Sequence, residues 1–312
     1  MSWSIKYIKD ERSFSRWGGL SKTYFSLNEF ENESCINSGC YSIYESGALI
    51  DINLDALENK PLLVFFNGAK NRNNDTKLPI FSGAKVTPIA QASRLSINDP
   101  SLYLGDDISM GWYAGGKNIP LQSDILPRLI KKIVGLLKST ALIFVGGSAG
   151  GFASLYYSRK IPGSICVTSN PQTSIFNYYK SHVNRYLKYS FDIDDVQKVK
   201  ENPKITKGTV TNLCRYYNGE TSSKIIYLQN LLDKHHVNRH HIPFIQSFGH
   251  EPALEVGVHH YNDNLVTFVG DWGDGHKTAP REFWSTMLSN VVNKLDNLDD
   301  IFKERKVSKL FE

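Results

Sequence analysis

The chain has 312 residues, 41% of them hydrophobic and 21% charged, whereas a disordered chain would be poorer in core formers and carry more net charge. Lys plus Arg number 36 against 31 Asp plus Glu, so the net charge is 36 − 31 = +5. That balance is too even to suggest nucleic-acid binding, which concentrates basic residues on one face.

The four cysteines, Cys35, Cys40, Cys166 and Cys214, make no C-x-x-C pair and are too few for a disulfide scaffold. Cys35 and Cys40 lie close enough in sequence to bridge in an oxidising compartment. The first residues, MSWSIKYIKDERSF, hold neither the apolar core nor the cleavage site of a secretory leader. The longest apolar runs, LLVFF and ALIFV, fall far short of the roughly 20 residues needed to cross a bilayer. A cytoplasmic chain without a membrane span is therefore expected.

In chain order, Tyr41 to Leu54 reads as an N-terminal hairpin or pair of edge strands. PLLVFFNGA, residues 61–69, is a short apolar run ending in Asn-Gly, which predicts a strand buried on both faces and then a turn. Residues 84–93 suggest another strand. The apolar spacing of residues 121–138 predicts an amphipathic helix, with Pro127 in its first turn. Strands follow at Thr140–Val145, Ser164–Thr168, Lys224–Gln229 and Asn264–Gly270. Helices are expected at Thr173–Tyr186, within 190–216 and at Pro280–Leu295, and the charged tail reads as helical or frayed. Strands alternate with helices from residue 61 onward, so the expected fold class is α/β, with a mainly parallel central sheet and helices on both faces. One domain over 1–312 is expected, with N-terminal strands in 1–60 and a helical insertion or lid near 175–220.

The most specific feature is GGSAG, Gly146 to Gly150, which matches G-x-S-x-G with a strand pattern before it and a helix pattern after. That turn would expose the Ser148 hydroxyl above the sheet, with Gly146 and Gly150 letting the backbones approach. The Ala149 N–H, at a helix N-terminus, would face an oxyanion. A Gly-rich turn without catalysis is the alternative. Beyond the last strand, FVGDWGDGHKTAP places His276 in a loop before the final helix, where a general base belongs. The orienting acid should follow the preceding strand, which points to Asp233 in KIIYLQNLLDKHH; Asp271 is the main rival and Asp274 a weaker one. FFNGAK offers Asn67, Gly68 or Ala69 as the second oxyanion donor.

Seven of the nine histidines fall within residues 235–260, and His236 and His240 have metal-ligand spacing. HExxH is absent and no third ligand is evident, so no metal is expected. Some of these histidines, His236 among them, would instead support Asp233 or a substrate. The loop DISMGWYAG carries Trp112 and Tyr113, which would either stack on a sugar or acyl group or pack in the core.

From about Pro61 to Leu295 the chain resembles the α/β-hydrolase superfamily, on GGSAG for the elbow, FNGA for the oxyanion loop and GDGH for the base. FNGA, GWYAG, GGSAGG, SNPQT, YLQNLLDKHH and GDWGDGH together are similar to bacterial α/β-hydrolase-like proteins associated with surface and capsular polysaccharide synthesis, some of them O-acetyltransferases. The lipase-type HGGG is absent. The resemblance implies serine-dependent acyl transfer, with acetyl-CoA as donor and a polysaccharide hydroxyl as acceptor. A serine esterase such as a sugar deacetylase, and a non-catalytic accessory protein, are the alternatives.

Overall fold

The computed structural model describes residues 12–72, 76–88 and 90–312, whose strands join in one sheet. The first eleven residues, read above for a leader, lie outside that set, as does residue 89 within the 84–93 stretch. The strands are β1 (Leu20–Tyr24), β2 (Gly39–Glu45), β3 (Ala48–Asp55), β4 (Leu62–Phe66), β5 (Ser93–Ile97), β6 (Leu142–Gly147), β7 (Ile165–Ser169), β8 (Lys224–Asn230), β9 (Gly257–Asn262) and β10 (Leu265–Gly270). Their order is β1-β2-β3-β5-β4-β6-β7-β8-β10-β9. The block from β5 to β10 is parallel throughout. The β2–β3 hairpin joins it through an antiparallel β3–β5 pairing, and β9 runs antiparallel to β10 at the far edge.

The central strands are apolar runs because both faces are covered. Leu62, Val64, Phe66, Phe144, Cys166 and Tyr227 face one core, shared with helices α1 (Leu126–Leu137), α2 (Ala149–Lys160) and α3 (Lys180–Phe191). Leu63, Phe65, Val145, Val167 and Leu228 alternate with them and face a second core, shared with α4 (Arg281–Asn293) and the C-terminal helical turns. The fold is α/β, a mainly parallel sheet with helices on both faces, as the sequence pattern led one to expect. No helix among the described residues is long and apolar enough to cross a membrane. The four cysteines are free.

Three expectations need correction. The strand read at 84–93 lies at Ser93–Ile97, and residues 84–86 form a turn. Pro88 has no N–H to give a ladder, which disfavours a strand there. The helix read from Thr173 begins at Lys180. Before it, the backbone at 173–175 is held by the 211–213 segment, with Ile175 N–H donating to Thr211 O at 2.8 Å and Leu213 N–H donating to Thr173 O at 2.8 Å. Strands β1 and β9 had no counterpart in the sequence reading.

Candidate active site

Strand β6 delivers the chain to a sharp turn. Ser148 has φ 56° and ψ −120°, and α2 begins at the next residue. Left-handed backbone at a non-glycine residue is strained and persists only where surroundings hold it. Here Ser148 N–H donates to Ser169 O at 3.0 Å, and Ser148 O accepts from Gln172 N–H at 3.1 Å and Phe152 N–H at 3.2 Å. A Cβ at Gly146 would overlap Gly150, and one at Gly150 would overlap the backbone of Phe66 and Asn67. Both positions are thus closed to side chains by contact between β4, β6 and α2.

Asp233 follows β8 and caps the helical turn Lys234–His236, its Oδ1 accepting from His236 N–H at 3.1 Å. Its Oδ2 lies 2.5 Å from His276 Nδ1. Burial opposes ionisation of this carboxyl, but contacts with His236 and His276 outweigh it and hold its pKa well below the usual carboxylate range. An ionised carboxylate only accepts, so Nδ1 of His276 carries a proton, and in the neutral ring the lone pair lies on Nε2. The His276 loop is pinned by two buried asparagines. Asn230 Nδ2 donates to Gly273 O and Gly275 O, both at 2.8 Å, and Asn170 Nδ2 donates to Lys277 O at 2.7 Å. Asp271 and Asp274 are exposed, and Asp271 Oδ1 accepts from Gly273 N–H at 3.2 Å. Among the described residues neither has a hydrogen bond to His276.

Ser148 and His276 line one pocket of about 410 Å³, together with Asn67, Gly68, Ala69 and apolar Phe65, Val86, Val145 and Trp284. The expected oxyanion donors separate here. Asn67 N–H donates to Tyr113 Oη at 2.7 Å, and its side-chain amide gives one hydrogen to Ile80 O, which leaves only the second Nδ2 hydrogen for a substrate. The N–H groups of Gly68 and Ala149 have no hydrogen bond to any described residue, and a Cβ on Gly68 would sit 3.2 Å from Gly147 O.

Trp112 and Tyr113 are both fully buried and neither lines this pocket. They stand at φ 55° and 54°, held by buried Asp99, whose Oδ2 accepts from Gly111 N–H at 2.7 Å and Tyr113 N–H at 3.3 Å. From there they act on the site indirectly. Tyr113 takes up Asn67 N–H, and Trp112 Nε1 donates to Gln172 Oε1. The indole can only donate, so the Gln172 amide is fixed with Nε2 toward the nucleophile, where it donates to Ser148 Oγ at 3.0 Å. Gln172 is fully buried and was not singled out in the sequence. Its only signal there was its place in SNPQT.

His236 is buried and lies outside the pocket lining, its ring stacked on His276 with centroids 4.1 Å apart and planes at 15°. Its Nδ1 is 2.9 Å from Asp233 Oδ2 but is not aligned for a hydrogen bond. Burial pushes the His236 pKa down to about 4, against the pull of Asp233, so the ring is neutral at pH 7. Asp233, His236 and His276 bring ligand-type atoms within 4.8 Å of one another, so among the described residues this trio, rather than His236 with His240, is the grouping with metal-ligand geometry. His240 is fully buried, with Nδ1 accepting from Thr173 N–H at 3.1 Å.

No protein-family model and no curated protein sequence matches the chain. Solved structures do match. One is a capsule O-acetyltransferase of Neisseria meningitidis serogroup A, a variant in complex with CoA, with TM-score 0.53 and 14% identity over 86% of this chain and 94% of that one. Puromycin hydrolase matches with TM-score 0.52 and 14% identity over 84% of this chain and 39% of that one. The acylaminoacyl peptidase of Pyrococcus horikoshii matches with TM-score 0.53 and 12% identity over 85% of this chain and 42% of that one. This chain therefore corresponds to about two fifths of the hydrolase and the peptidase but to nearly all of the acetyltransferase. At these identities the likeness establishes architecture: the chain has the α/β-hydrolase-like fold that capsule O-acetyltransferase shares with this hydrolase and this peptidase.

Proposed function

We propose that the chain is a serine acyltransferase that moves an acetyl group from acetyl-CoA to a hydroxyl of a capsular or related surface polysaccharide. The observation that carries this reading is the Asp233–His276 hydrogen bond at 2.5 Å beside a strained Ser148, with Ser148 and His276 walling one pocket. His276 Nε2 takes the Ser148 proton as Oγ attacks the thioester carbonyl. The Gly68 and Ala149 N–H groups hold the oxyanion. The C–S bond breaks, His276 returns its proton to the departing thiolate, and acetyl-Ser148 remains. A glycan hydroxyl then replaces the thiol, gives its proton to His276 and attacks the ester, and His276 returns that proton to Ser148 Oγ as it leaves. Ionised Asp233 holds the imidazole tautomer throughout. The 175–220 segment covers one side of the pocket through Tyr178 and serves as its lid. Transfer, rather than hydrolysis, is supported by the whole-length likeness to an acetyltransferase whose structure holds CoA. Use of acetyl-CoA implies action in the cytoplasm.

The test is intact-protein mass after brief exposure to acetyl-CoA, and separately to p-nitrophenyl acetate, for wild type and Ser148→Ala. An acetyl adduct from acetyl-CoA that is absent in Ser148→Ala and is discharged by a polysaccharide acceptor is expected. Turnover of the simple ester alone, with no gain from any acceptor, would make the chain an esterase. No adduct and no turnover with either donor would leave the accessory role.

A further inference from the structure

Beside the acyl pocket lies a second cleft of about 410 Å³, walled by residues 176–183, the helix carrying Lys200 and the turn at 235–239. Tyr178 lines both, so the cleft and the acyl pocket adjoin at this residue. The cleft lining carries Lys180, Lys200 and Arg239 and no carboxylate. Lys180 is held by Asp195 at 3.1 Å, whereas Lys200 and Arg239 have no ion-pair partner among the described residues. Tyr179 is 52% exposed, which is unusual for so large a ring, yet its ring is held against His235 with centroids 4.3 Å apart and planes at 14°. His235 Nε2 is buried without a hydrogen-bond partner.

A fixed, exposed aromatic face beside unpaired cations suits a planar ring that carries phosphates. The ring stacks, and the guanidinium and ammonium groups take the anionic oxygens. A neutral glycan would use the aromatic face but leave the cations without a role. We propose that this cleft binds the 3′-phosphoadenosine end of coenzyme A, with the pantetheine arm passing Tyr178 to bring the thioester to Ser148. This rests on the acetyl-CoA reading above and adds where the donor's nucleotide sits.

The experiment is calorimetric titration of the full chain with adenosine 3′,5′-bisphosphate, at low and moderate salt, for wild type, Lys200→Ala/Arg239→Ala and Tyr179→Ala. Saturable binding by wild type is expected, about tenfold or more weaker in the double variant. Tyr179→Ala should also bind more weakly but keep the wild-type salt dependence, because it removes stacking and no charge. If acetyl-CoA acetylates Ser148 but the bisphosphate does not bind, or binds all variants equally, the cleft assignment fails and the donor reading stands. If neither acetylation nor binding occurs, both fail. Displacement of the bisphosphate by an acidic oligosaccharide of comparable affinity would reassign the cleft to the acceptor.

Discussion

Gln172 offers the sharpest test of the site, because its two ends do different things. Nε2 donates to Ser148 Oγ at 3.0 Å, and Oε1 accepts from Trp112 Nε1. As Oγ attacks, or leaves during deacylation, it carries developing negative charge. A hydrogen bond to a charged group contributes about 1.5–3 kcal/mol, so Gln172→Met should slow acylation about 10- to 150-fold. The same change leaves the fully buried Trp112 indole N–H unpaired, which costs about 1–3 kcal/mol. At roughly 2.1 cal/mol/K per residue of unfolding entropy, that lowers Tm by about 2–5 °C. The two effects separate in a double-mutant cycle with Trp112→Phe, which removes the orphaned donor. Stability in Gln172→Met/Trp112→Phe should be higher than the single effects sum to, while acylation stays as slow as in Gln172→Met alone. The assay is the pre-steady-state burst with p-nitrophenyl acetate, alongside thermal unfolding. A wild-type burst rate in Gln172→Met, or one restored in the double variant, would show that Gln172 serves packing and not the nucleophile.

Three further outcomes are expected. Asp233→Asn keeps the shape but lets the amide donate, reversing the His276 tautomer, and the acylation rate should fall about 10³- to 10⁴-fold in the same burst assay. Gly150→Ala drives a methyl group into the Phe66 and Asn67 backbone and should lower Tm markedly or prevent soluble expression, whereas Gly135→Ala, in open space on α1, should be neutral or stabilising. Burial pushes His241 down to about 4, so between pH 6.5 and 4 the unfolded chain binds a proton there that the native chain does not. Stability supplied by this neutral ring is present above pH 6.5 and is lost as pH falls, at about 1.4 kcal/mol per pH unit. His241→Phe should flatten the plot of unfolding free energy against pH by that amount in this window, as measured by urea titration.

The central strands were legible because double burial writes continuous apolar runs, and the elbow was legible because strand, Gly-flanked serine and helix occur in order. Strand β5 was not, because SRLSI places polar residues inside. Arg94 is only 4% exposed, and it is satisfied by Asn53 Oδ1 at 2.6 Å and Asp55 Oδ2 at 2.8 Å on β3, partners distant in sequence. Strand β9 is a half-exposed edge with no buried face to impose a pattern. The aromatic pair at 112–113 sits among glycines, which reads as surface loop, and its burial depends on the Asp99 carboxylate beyond β5. The pairing of the Asn67 backbone N–H was hidden for the same reason, since the tyrosine that takes it lies in that loop. Gln172 became visible only once the indole fixing its amide was located.

The loop bearing Trp112 and Tyr113 has a consequence for how the site comes into being. Two adjacent bulky residues in left-handed backbone are each unfavourable by roughly 1–2 kcal/mol, and the loop's own turn bond, Ala114 N–H to Gly111 O at 3.0 Å, is supplemented from outside it. Their restraint comes from Asp99, and their outlets are Asn67 after β4 and Gln172 after β7. Three crossings of the sheet must therefore be in place before the loop can close and set the donor to Ser148. Competence should therefore be acquired late in folding and lost early on unfolding. In rising urea, burst amplitude should disappear before the far-ultraviolet helix signal does.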